Sequence, residues 1–273
     1  MTRPYYYLGG NRALTQLSTG QPFFINTDDR GITTWIILGG LWETFVDDVL
    51  SRLAKPGMNF LDIGANMGYY SVKIGGLVGP TGKIFSFEPN PELYPFLRDN
   101  IDINGFRPRA ELFQLALGDA DGRGELKFTH ENMGGGHLFA GGAGSRSVPV
   151  DLGMLDNFIS KSTKIDLMKI DAEGYEPRIL AGGKRVLNDN PEAFIVLEVS
   201  IANWRLFGNP EETLQQLAGT EKEIFQIETS GAVRPMGSAY EFLARIDDKF
   251  VSYCLVAPRA SSAREVLVDL IRQ

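Results

Sequence analysis

Hydrophobic residues along the chain fall into short continuous runs, which alternate with segments where they recur every three to four residues. A short run bounded by glycine or proline is typical of a buried strand, and the longer spacing is typical of a helix. The runs typical of strands are residues 59–63, 83–87, 111–117, 165–170, 194–199, 224–227 and 251–256. The segments typical of helices are residues 69–77, 91–103, 176–187 and 211–218. Because parallel strands need crossover connections, this alternation predicts an α/β fold on a doubly wound, mostly parallel, seven-stranded sheet.

The first fifty residues do not follow this alternation. Residues 23–25 and 33–38 resemble the two strands of a hairpin, and residues 45–53 have the spacing of a helix. Residues 125–128 predict one more strand, outside the main alternation. We interpret residues 1–50 as an N-terminal cap made of a hairpin and a helix, and residues 51–273 as the domain that contains the sheet.

Composition narrows the classes of function. Lys and Arg number 27 against 34 Asp and Glu, which gives a net charge of −7. This balance argues against a general nucleic-acid binder, because phosphate binding needs a basic surface. One cysteine, Cys254, and two histidines exclude an intramolecular disulfide, a cysteine zinc cluster and a three-histidine metal site. No apolar run approaches the roughly 18 residues of a membrane span, and no signal peptide is recognisable, so we expect a cytoplasmic protein.

The most informative stretch joins the first of these strands to its helix. Asp62 ends the strand, Gly64 allows a tight turn and Gly68 opens the helix, so the backbone can approach a ligand closely. Glu88 ends the next strand, where a carboxylate can accept hydrogen bonds from both hydroxyls of a ribose. Since ligands of doubly wound sheets bind at such strand ends, the stretch predicts a nucleoside site.

The spacing of the turn discriminates between two nucleosides. A nicotinamide site needs Gly-x-Gly-x-x-Gly, which lets a pyrophosphate approach the start of the helix. Here Asn66 stands between Gly64 and Gly68, and Asp62 would repel a pyrophosphate but suits the ammonium group of a methionine moiety. S-adenosylmethionine (SAM) is therefore favoured over NAD.

Several segments around this turn stand in a characteristic order. They are GLWE at 40–43, FLDIGANMGYYS at 60–71, FEPN at 87–90, ALGD at 116–119, LD at 155–156, KIDAEGYE at 169–176 and LE at 197–198. Together they resemble the FkbM family of SAM-dependent methyltransferases, with residues 60–71 similar to its motif I and residues 169–176 to its K-I-D-x-E-G-x-E segment. The resemblance covers residues 35–200 and implies a class I methyltransferase (Rossmann-like) fold in which residues 51–273 bind SAM.

The resemblance also implies which residues bind the cofactor. The turn would hold the methionine part of SAM, Glu88 its ribose, and the residues after the second and third strands its adenine. The residues so assigned are Asp62, Gly64, Ala65, Asn66, Gly68, Tyr69, Ser71, Glu88, Pro89, Asn90, Ala116 and Leu117. The acceptor would be a hydroxyl group on a sugar, a glycan or a natural product. We assign no metal ligands, expect no membrane or nucleic-acid partner, and leave open a homo-oligomer.

Two of the expected catalytic residues, Asp171 and Glu173, lie where the fourth strand ends. Asp171 would lie beside the transferred methyl group, where it could orient the acceptor hydroxyl, act as a base or bind a cation with Glu198. Alternatively, Asp171 and Glu173 are acids that stabilise the start of a helix. Methyl transfer needs little beyond in-line placement of the reacting atoms, so a strong base is not mandatory.

The glycine-rich segment 133–147 predicts a mobile lid. It contains six glycines, whose ordering costs entropy, around His137, Leu138 and Phe139. In this interpretation the two apolar side chains exclude water, and His137 is a candidate base for the acceptor hydroxyl. The alternative is a surface loop with an incidental histidine.

Two other functions stay open on the sequence alone. One is an NAD-dependent oxidoreductase on a similar sheet, and the other is a module that binds SAM without consuming it.

Overall fold

The computed structural model describes residues 3–139, 145–259 and 267–271. Its strands are β1 (Tyr6–Gly9), β2 (Arg12–Gln16), β3 (Pro22–Asn26), β4 (Phe60–Ile63), β5 (Ile84–Phe87), β6 (Ala110–Phe113), β7 (Ala116–Leu117), β8 (Gly122–Thr129), β9 (Asn132–His137), β10 (Arg146–Gly153), β11 (Leu167–Ile170), β12 (Phe194–Val199), β13 (Lys222–Ile227), β14 (Val233–Met236) and β15 (Ser252–Pro258). Its helices are α1 (Ile32–Gly39), α2 (Thr44–Leu53), α3 (Tyr69–Val78), α4 (Tyr94–Ile103), α5 (Leu155–Phe158), α6 (Glu176–Gly182), α7 (Lys184–Asp189), α8 (Ile201–Trp204), α9 (Pro210–Ala218) and α10 (Ala239–Arg245).

The largest sheet has the strand order β14-β13-β15-β12-β11-β4-β5-β6. Strands β12, β11, β4, β5 and β6 run parallel, whereas β15 is antiparallel to both of its neighbours. Without β14 this is the order of the seven-stranded class I methyltransferase sheet, which has one reversed strand next to its last edge. The predicted doubly wound, mostly parallel sheet is confirmed.

The prediction of seven strands is short by one, because β14 adds to the edge of the sheet beside β13. The sequence of β14, Val-Arg-Pro-Met, does not look like a strand, since Pro235 has no amide hydrogen to donate. An edge strand tolerates such a residue, because one side of its backbone has no partner strand.

Two hydrophobic cores cover the faces of the large sheet. Every residue of β4, β5 and β11 is buried, as expected of parallel strands packed on both sides. One core includes side chains of α2, α3 and α4, and the other includes side chains of α5, α6, α7, α9 and α10. None of the helices among the described residues is both long enough and apolar enough to cross a bilayer.

A second sheet, ordered β7-β10-β8-β9, lies beyond the third parallel strand. The predicted third strand, 111–117, is divided between the two sheets, because β6 pairs with β5 and β7 pairs with β10. The predicted strand at 125–128 lies within β8. The predicted helix at 176–187 is also divided, into α6 and α7, where Gly182 packs against the backbone of Gly118.

The segment interpreted as a lid is not one loop. Residues 132–137 form β9, which pairs with β8, and residues 146–153 form β10. Residues 140–144 of this segment lie outside the described residues. Met133 anchors β9, because its side chain is buried in the core and its carbonyl oxygen accepts a hydrogen bond from Asn90 Nδ2 at 3.1 Å.

The N-terminal segment differs from the predicted hairpin. Residues 33–38 belong to helix α1, and the sheet is formed by β1, β2 and β3 instead. Ile32, Thr33 and Ile36 are the buried residues of α1, and their spacing of three to four places them on one helical face. Helix α2 confirms the predicted helix at 45–53. Strand β3 is attached to α4, because the Asn100 side chain bonds both backbone polar groups of Phe24.

Candidate functional site

A pocket opens where β4, β5, β11 and β12 end, and three parts of the fold line it. The large sheet and its connections contribute residues that include Gly64, Ala65, Asn66, Tyr69, Tyr70, Glu88, Pro89, Lys169, Asp171, Glu173, Glu198 and Tyr253. The N-terminal segment contributes Asp29, Ile32, Trp42 and Glu43, and the second sheet with its connections contributes Ala116, Leu117, Asn132 to Gly136 and Leu138. Of the predicted cofactor residues, those that line the pocket are Gly64, Ala65, Asn66, Tyr69, Glu88, Pro89, Ala116 and Leu117.

The turn between β4 and α3 has a left-handed backbone. Gly64, Asn66 and Gly68 have φ values of 76°, 54° and 88°. Asn66 tolerates this conformation better than most residues with side chains, and its Oδ1 accepts a hydrogen bond from the Met67 amide at 2.7 Å. The turn therefore presents its backbone, rather than large side chains, to the pocket.

Glu88 is fixed beside this turn through both carboxylate oxygens. Its Oε2 accepts a hydrogen bond from the Asn66 amide at 2.7 Å, and its Oε1 accepts one from the Asn90 amide at 2.8 Å. Burial raises the pKa of Glu88 to about 7. Each oxygen can accept a second hydrogen bond, so the two backbone contacts leave capacity for ligand hydroxyls.

The other predicted cofactor residues lie beneath or beside the pocket. Asp62 is fully buried, and its Oδ2 accepts a hydrogen bond from Ser71 Oγ at 2.5 Å. Gly68 precedes the first residue of α3 and packs against Leu97, and Asn90 holds the Met133 carbonyl. These residues support the turn and the loop after β5 on the sides that do not line the pocket.

Lys169 is the buried cation of the site. Its Nζ lies 3.2 Å from Asp171 Oδ2 and 4.0 Å from Asp62 Oδ1, and it donates a hydrogen bond to the Gly64 carbonyl at 3.1 Å. Burial lowers the pKa of Lys169, but the carboxylates of Asp171 and Asp62 outweigh this and raise it above the ordinary value. Lys169 belongs to the KIDAEGYE segment, but the sequence pattern alone does not assign it a role in the site.

Asp171, Glu173 and Glu198 converge at the ends of β11 and β12. Each offers a carboxylate oxygen, and these oxygens lie within 4.8 Å of one another. Burial and then the charge of Asp171 raise the pKa of Glu173 to about 8 and that of Glu198 well above its usual range. Carboxylate oxygens at this spacing could hold a divalent cation. Lys169 already supplies positive charge to Asp171.

Glu43 joins this group from the N-terminal segment. It accepts hydrogen bonds from Tyr253 Oη at 2.7 Å and Tyr70 Oη at 3.1 Å, and Tyr253 Oη lies 3.4 Å from Asp171 Oδ2. Burial and then Asp171 raise the pKa of Glu43 to about 7. Sequence reasoning did not place Glu43 in the site, although the GLWE segment that contains it was one of the matched segments.

Backbone strain is concentrated around the same pocket. Among the described residues, the non-glycine positions with positive φ are Glu43 (40°), Asn66 (54°) and Glu173 (56°). All three line the pocket. Such conformations persist only where the surrounding structure enforces them, and they cluster at functional sites. The pocket therefore combines strain, buried charge and converging side chains.

His137 lies at the rim, and its ring orientation fixes its tautomer. Its Nδ1 is 2.9 Å from the backbone oxygen of Glu173. Because a carbonyl oxygen only accepts, Nδ1 carries the proton and Nε2 is left unprotonated in the neutral ring. His137 itself does not line the pocket, whereas its neighbours Gly136 and Leu138 do.

An aromatic patch, formed by Phe139, Tyr175 and Phe207, lies beside His137. Phe139 and Tyr175 are parallel with ring centres 6.5 Å apart, and Phe207 meets them edge-on at 5.1 and 5.2 Å. All three rings are partly exposed. Tyr175 also lines the pocket, so the patch extends from the acidic group to the surface.

Comparison with known protein families identifies the family to which this chain belongs. The model of the methyltransferase FkbM domain matches residues 62–223, which contain most of the large sheet. The chain belongs to the FkbM family of methyltransferases. SAM is accordingly its cofactor, and the interpretation as an NAD-dependent oxidoreductase does not hold.

Curated relatives of this FkbM methyltransferase include the 2-O-methyltransferase NoeI of Sinorhizobium fredii. It is 30% identical over 171 residues, which are 56% of this chain and 67% of NoeI. A protein-L-isoaspartate O-methyltransferase of Aeropyrum pernix is 38% identical over 58 residues, but the match spans only 22% of that relative. Among solved structures, a SAM-dependent O-methyltransferase of Thermotoga maritima aligns over 93% of this chain and 98% of its own, with 12% identity and a TM-score of 0.45.

The pocket of the FkbM methyltransferase has the polarity that SAM requires. Among the described residues, its acidic lining side chains are Asp29, Glu43, Glu88, Asp171, Glu173 and Glu198, and Lys169 is its one basic side chain. Carboxyl oxygens accept hydrogen bonds from an ammonium group and from ribose hydroxyls. Pro89 and Leu117 supply an apolar wall beside Glu88, which suits an adenine ring.

Proposed function

We propose that this methyltransferase transfers the methyl group of SAM to a hydroxyl oxygen of a sugar, either free or within a glycan or natural product. The observation that carries the proposal is the junction of acidic side chains and exposed aromatic rings at the pocket. The name of NoeI, a 2-O-methyltransferase, agrees with a hydroxyl acceptor.

The junction matches the two surfaces of a sugar ring. Asp171 and Glu173 offer carboxylate oxygens, which accept hydrogen bonds from neighbouring hydroxyls. Tyr175 and Phe207 offer aromatic faces and edges against which the C–H face of a sugar can pack. Tyr175 lines the pocket, and Phe207 extends the same surface outward. A neutral sugar could therefore keep its hydroxyls on the carboxylates and its apolar face on the rings.

On the donor side, we propose that the assigned residues of the turn and of the two following strand ends hold SAM as the family resemblance implies. Bound SAM supplies the electrophilic methyl group. Glu88, fixed by two backbone amides, presents its carboxylate to the ribose, and Asp62 with Ser71 supports the turn from below. This arrangement supplies placement, which accounts for most of what methyl transfer needs.

Two groups are candidates to receive the acceptor's proton. Asp171 lines the pocket, and its Oδ2 is held by Lys169, which leaves Oδ1 to orient the hydroxyl. In the neutral ring of His137, Nε2 is free to accept a proton, and Glu173 holds Nδ1 through its carbonyl oxygen. We propose Asp171 as the residue that orients the hydroxyl, Glu173 as its neighbour at the acceptor, and His137 as the base.

Methyl transfer from labelled SAM to a panel of acceptors tests the proposed reaction. The panel would contain neutral sugars and glycosides, an isoaspartyl peptide, and amines. Label in a methyl ether of a sugar, located by NMR, is the expected result. Label found only in a methyl ester or a methylamine would contradict hydroxyl methylation.

Two histidine variants test the proposed base. We expect His137→Ala to lower turnover by about 10²-fold or more with unchanged SAM affinity, since this is a typical contribution of a general base. His130→Ala is the matched control, because His130 is exposed and contacts Arg146. Normal turnover in His137→Ala would remove His137 from catalysis and would leave the proposed reaction standing.

A further inference from the structure

Asp29 is a buried carboxylate that the assigned cofactor site does not use. It lies between β3 and α1 and is only 1% exposed. Its Oδ1 accepts a hydrogen bond from the Gly31 amide at 2.8 Å, whereas its Oδ2 is buried and has no hydrogen-bond partner among the described residues. Asp29 nevertheless lines the pocket. An acceptor of this kind costs free energy unless a ligand satisfies it.

The neighbours of Asp29 place it at the cofactor end of the pocket. Burial raises its pKa, and the backbone amides of Gly31, Met133 and Gly134 partly offset that shift. Gly134 in turn sits directly against the turn, since a Cβ there would overlap the side-chain amide of Asn66. Asp29 therefore lies near the turn, where the N-terminal segment and β9 line the pocket.

The hydrogen-bond donors of SAM could satisfy the Asp29 carboxylate. SAM carries hydrogen-bond donors on its ammonium group and on its ribose, and a carboxylate oxygen accepts from either. Glu88 and the turn belong to the large sheet and its connections, whereas Asp29 lines the same pocket from the N-terminal segment. The family match begins at residue 62, so no matched motif contains Asp29.

We propose that Asp29 is a SAM-binding residue contributed by the N-terminal segment, whose Oδ2 accepts a hydrogen bond from the ammonium group or a ribose hydroxyl of the cofactor. The contact would add the N-terminal segment to the parts of the fold that hold SAM. It also couples the folding of residues 27–33 to cofactor binding. The proposal depends on SAM binding and not on the acceptor, so a wrong acceptor assignment would leave it intact.

The Asp29→Asn variant tests the proposed contact with the ligand and keeps the hydrogen bond of the local turn. An asparagine keeps one oxygen for the Gly31 amide but replaces the free oxygen with an NH2 group, which cannot accept. We expect S-adenosylhomocysteine (SAH), measured by calorimetry, to bind about tenfold to a hundredfold more weakly, with an unchanged melting temperature of the ligand-free protein. Asp28→Asn is the matched control, because Asp28 is exposed and next in sequence.

A second ligand identifies the donor group. 5′-Methylthioadenosine keeps the ribose and adenine but lacks the amino-acid part. Weaker binding of SAH alone would assign Asp29 to the ammonium group, and weaker binding of both ligands would assign it to the ribose. Unchanged affinity for both ligands would overturn the proposal, as would an equal loss in Asp28→Asn.

Hydrogen exchange on the unaltered protein keeps the proposal testable should Asp29→Asn not fold. We expect SAH to slow exchange of the amides in residues 27–33, and to leave the exposed strand β1 unchanged. No slowing in residues 27–33 at saturating SAH would contradict a contact there.

Discussion

Gly64 and Asp171 lie in direct backbone contact, so close that a Cβ on Gly64 would overlap the carbonyl oxygen of Asp171. The Gly64 carbonyl also accepts a hydrogen bond from Lys169, which pairs with the Asp171 side chain. The turn after β4, which we propose holds SAM, and Asp171, which we propose orients the acceptor, are thus aligned by these contacts. Any shift of the turn would therefore also displace Asp171 and Lys169.

We expect Gly64→Ala to destabilise the protein and to abolish SAM binding. A left-handed φ costs an alanine about 1–2 kcal/mol, and here the overlap with a backbone oxygen adds to that cost. Gly105→Ala is the matched control, because Gly105 has φ 72° with open space around its Cβ position. Urea unfolding should show a loss of more than roughly 2 kcal/mol in the free energy of unfolding only for Gly64→Ala. Calorimetry should show loss of SAM binding only for the same variant. Equal losses in the two variants would mean that the contact with Asp171 is unimportant.

Glu88→Ala should weaken SAM binding by roughly tenfold to a hundredfold. Charge-assisted hydrogen bonds are worth about 1.5–3 kcal/mol, and the ribose hydroxyls would lose their acceptor. Glu111→Ala, at an exposed position of β6, controls for loss of negative charge. Calorimetry with SAM measures the effect, and unchanged affinity in Glu88→Ala would remove the ribose assignment.

Asp171→Asn should lower turnover while SAM affinity stays near that of the unaltered protein. The amide keeps an oxygen toward Lys169 but loses the negative charge that orients the acceptor hydroxyl. Because Lys169 already pairs with Asp171, we expect turnover of the unaltered protein to survive EDTA. Loss of turnover in EDTA that Mg²⁺ restores would instead assign the group of Asp171, Glu173 and Glu198 to a metal. Full turnover in Asp171→Asn would exclude both roles.

Glu173 should make the ligand-free protein less stable as pH rises. Burial and Asp171 raise its pKa from the usual 4.5 to about 8, so the folded state binds this proton more tightly than the unfolded state. The resulting stabilisation is complete below about pH 4.5 and is lost as pH rises through 8. Urea unfolding between these limits should show a smaller decline in the free energy of unfolding for Glu173→Gln. The raised pKa of Glu173 would be contradicted if the free energy of unfolding declined with pH as much in Glu173→Gln as in the unaltered protein. An equal reduction of the decline in the exposed control Glu192→Gln would contradict it as well.

Local sequence patterns were enough to predict the parts of the site that lie within one continuous segment. The turn after β4, its position before α3 and the acid at the end of β5 follow from a short apolar run, glycine spacing and one carboxylate. The KIDAEGYE segment was likewise placed at a strand end, where Asp171 now lies. Such features need only local backbone geometry and the rule that parallel strands share one ligand-binding edge.

Which distant segments complete the pocket depends on tertiary packing. Glu43 and Asp171 contact the same Tyr253 hydroxyl, and Asp29 lines the same pocket, because packing of the N-terminal segment carries Glu43 and Asp29 there. The same packing made residues 33–38 a helix, although their β-branched residues equally suit a strand. The physical reason is that a side chain's burial and partners depend on contacts between segments far apart in the chain. No local pattern of hydrophobic and polar residues encodes those contacts.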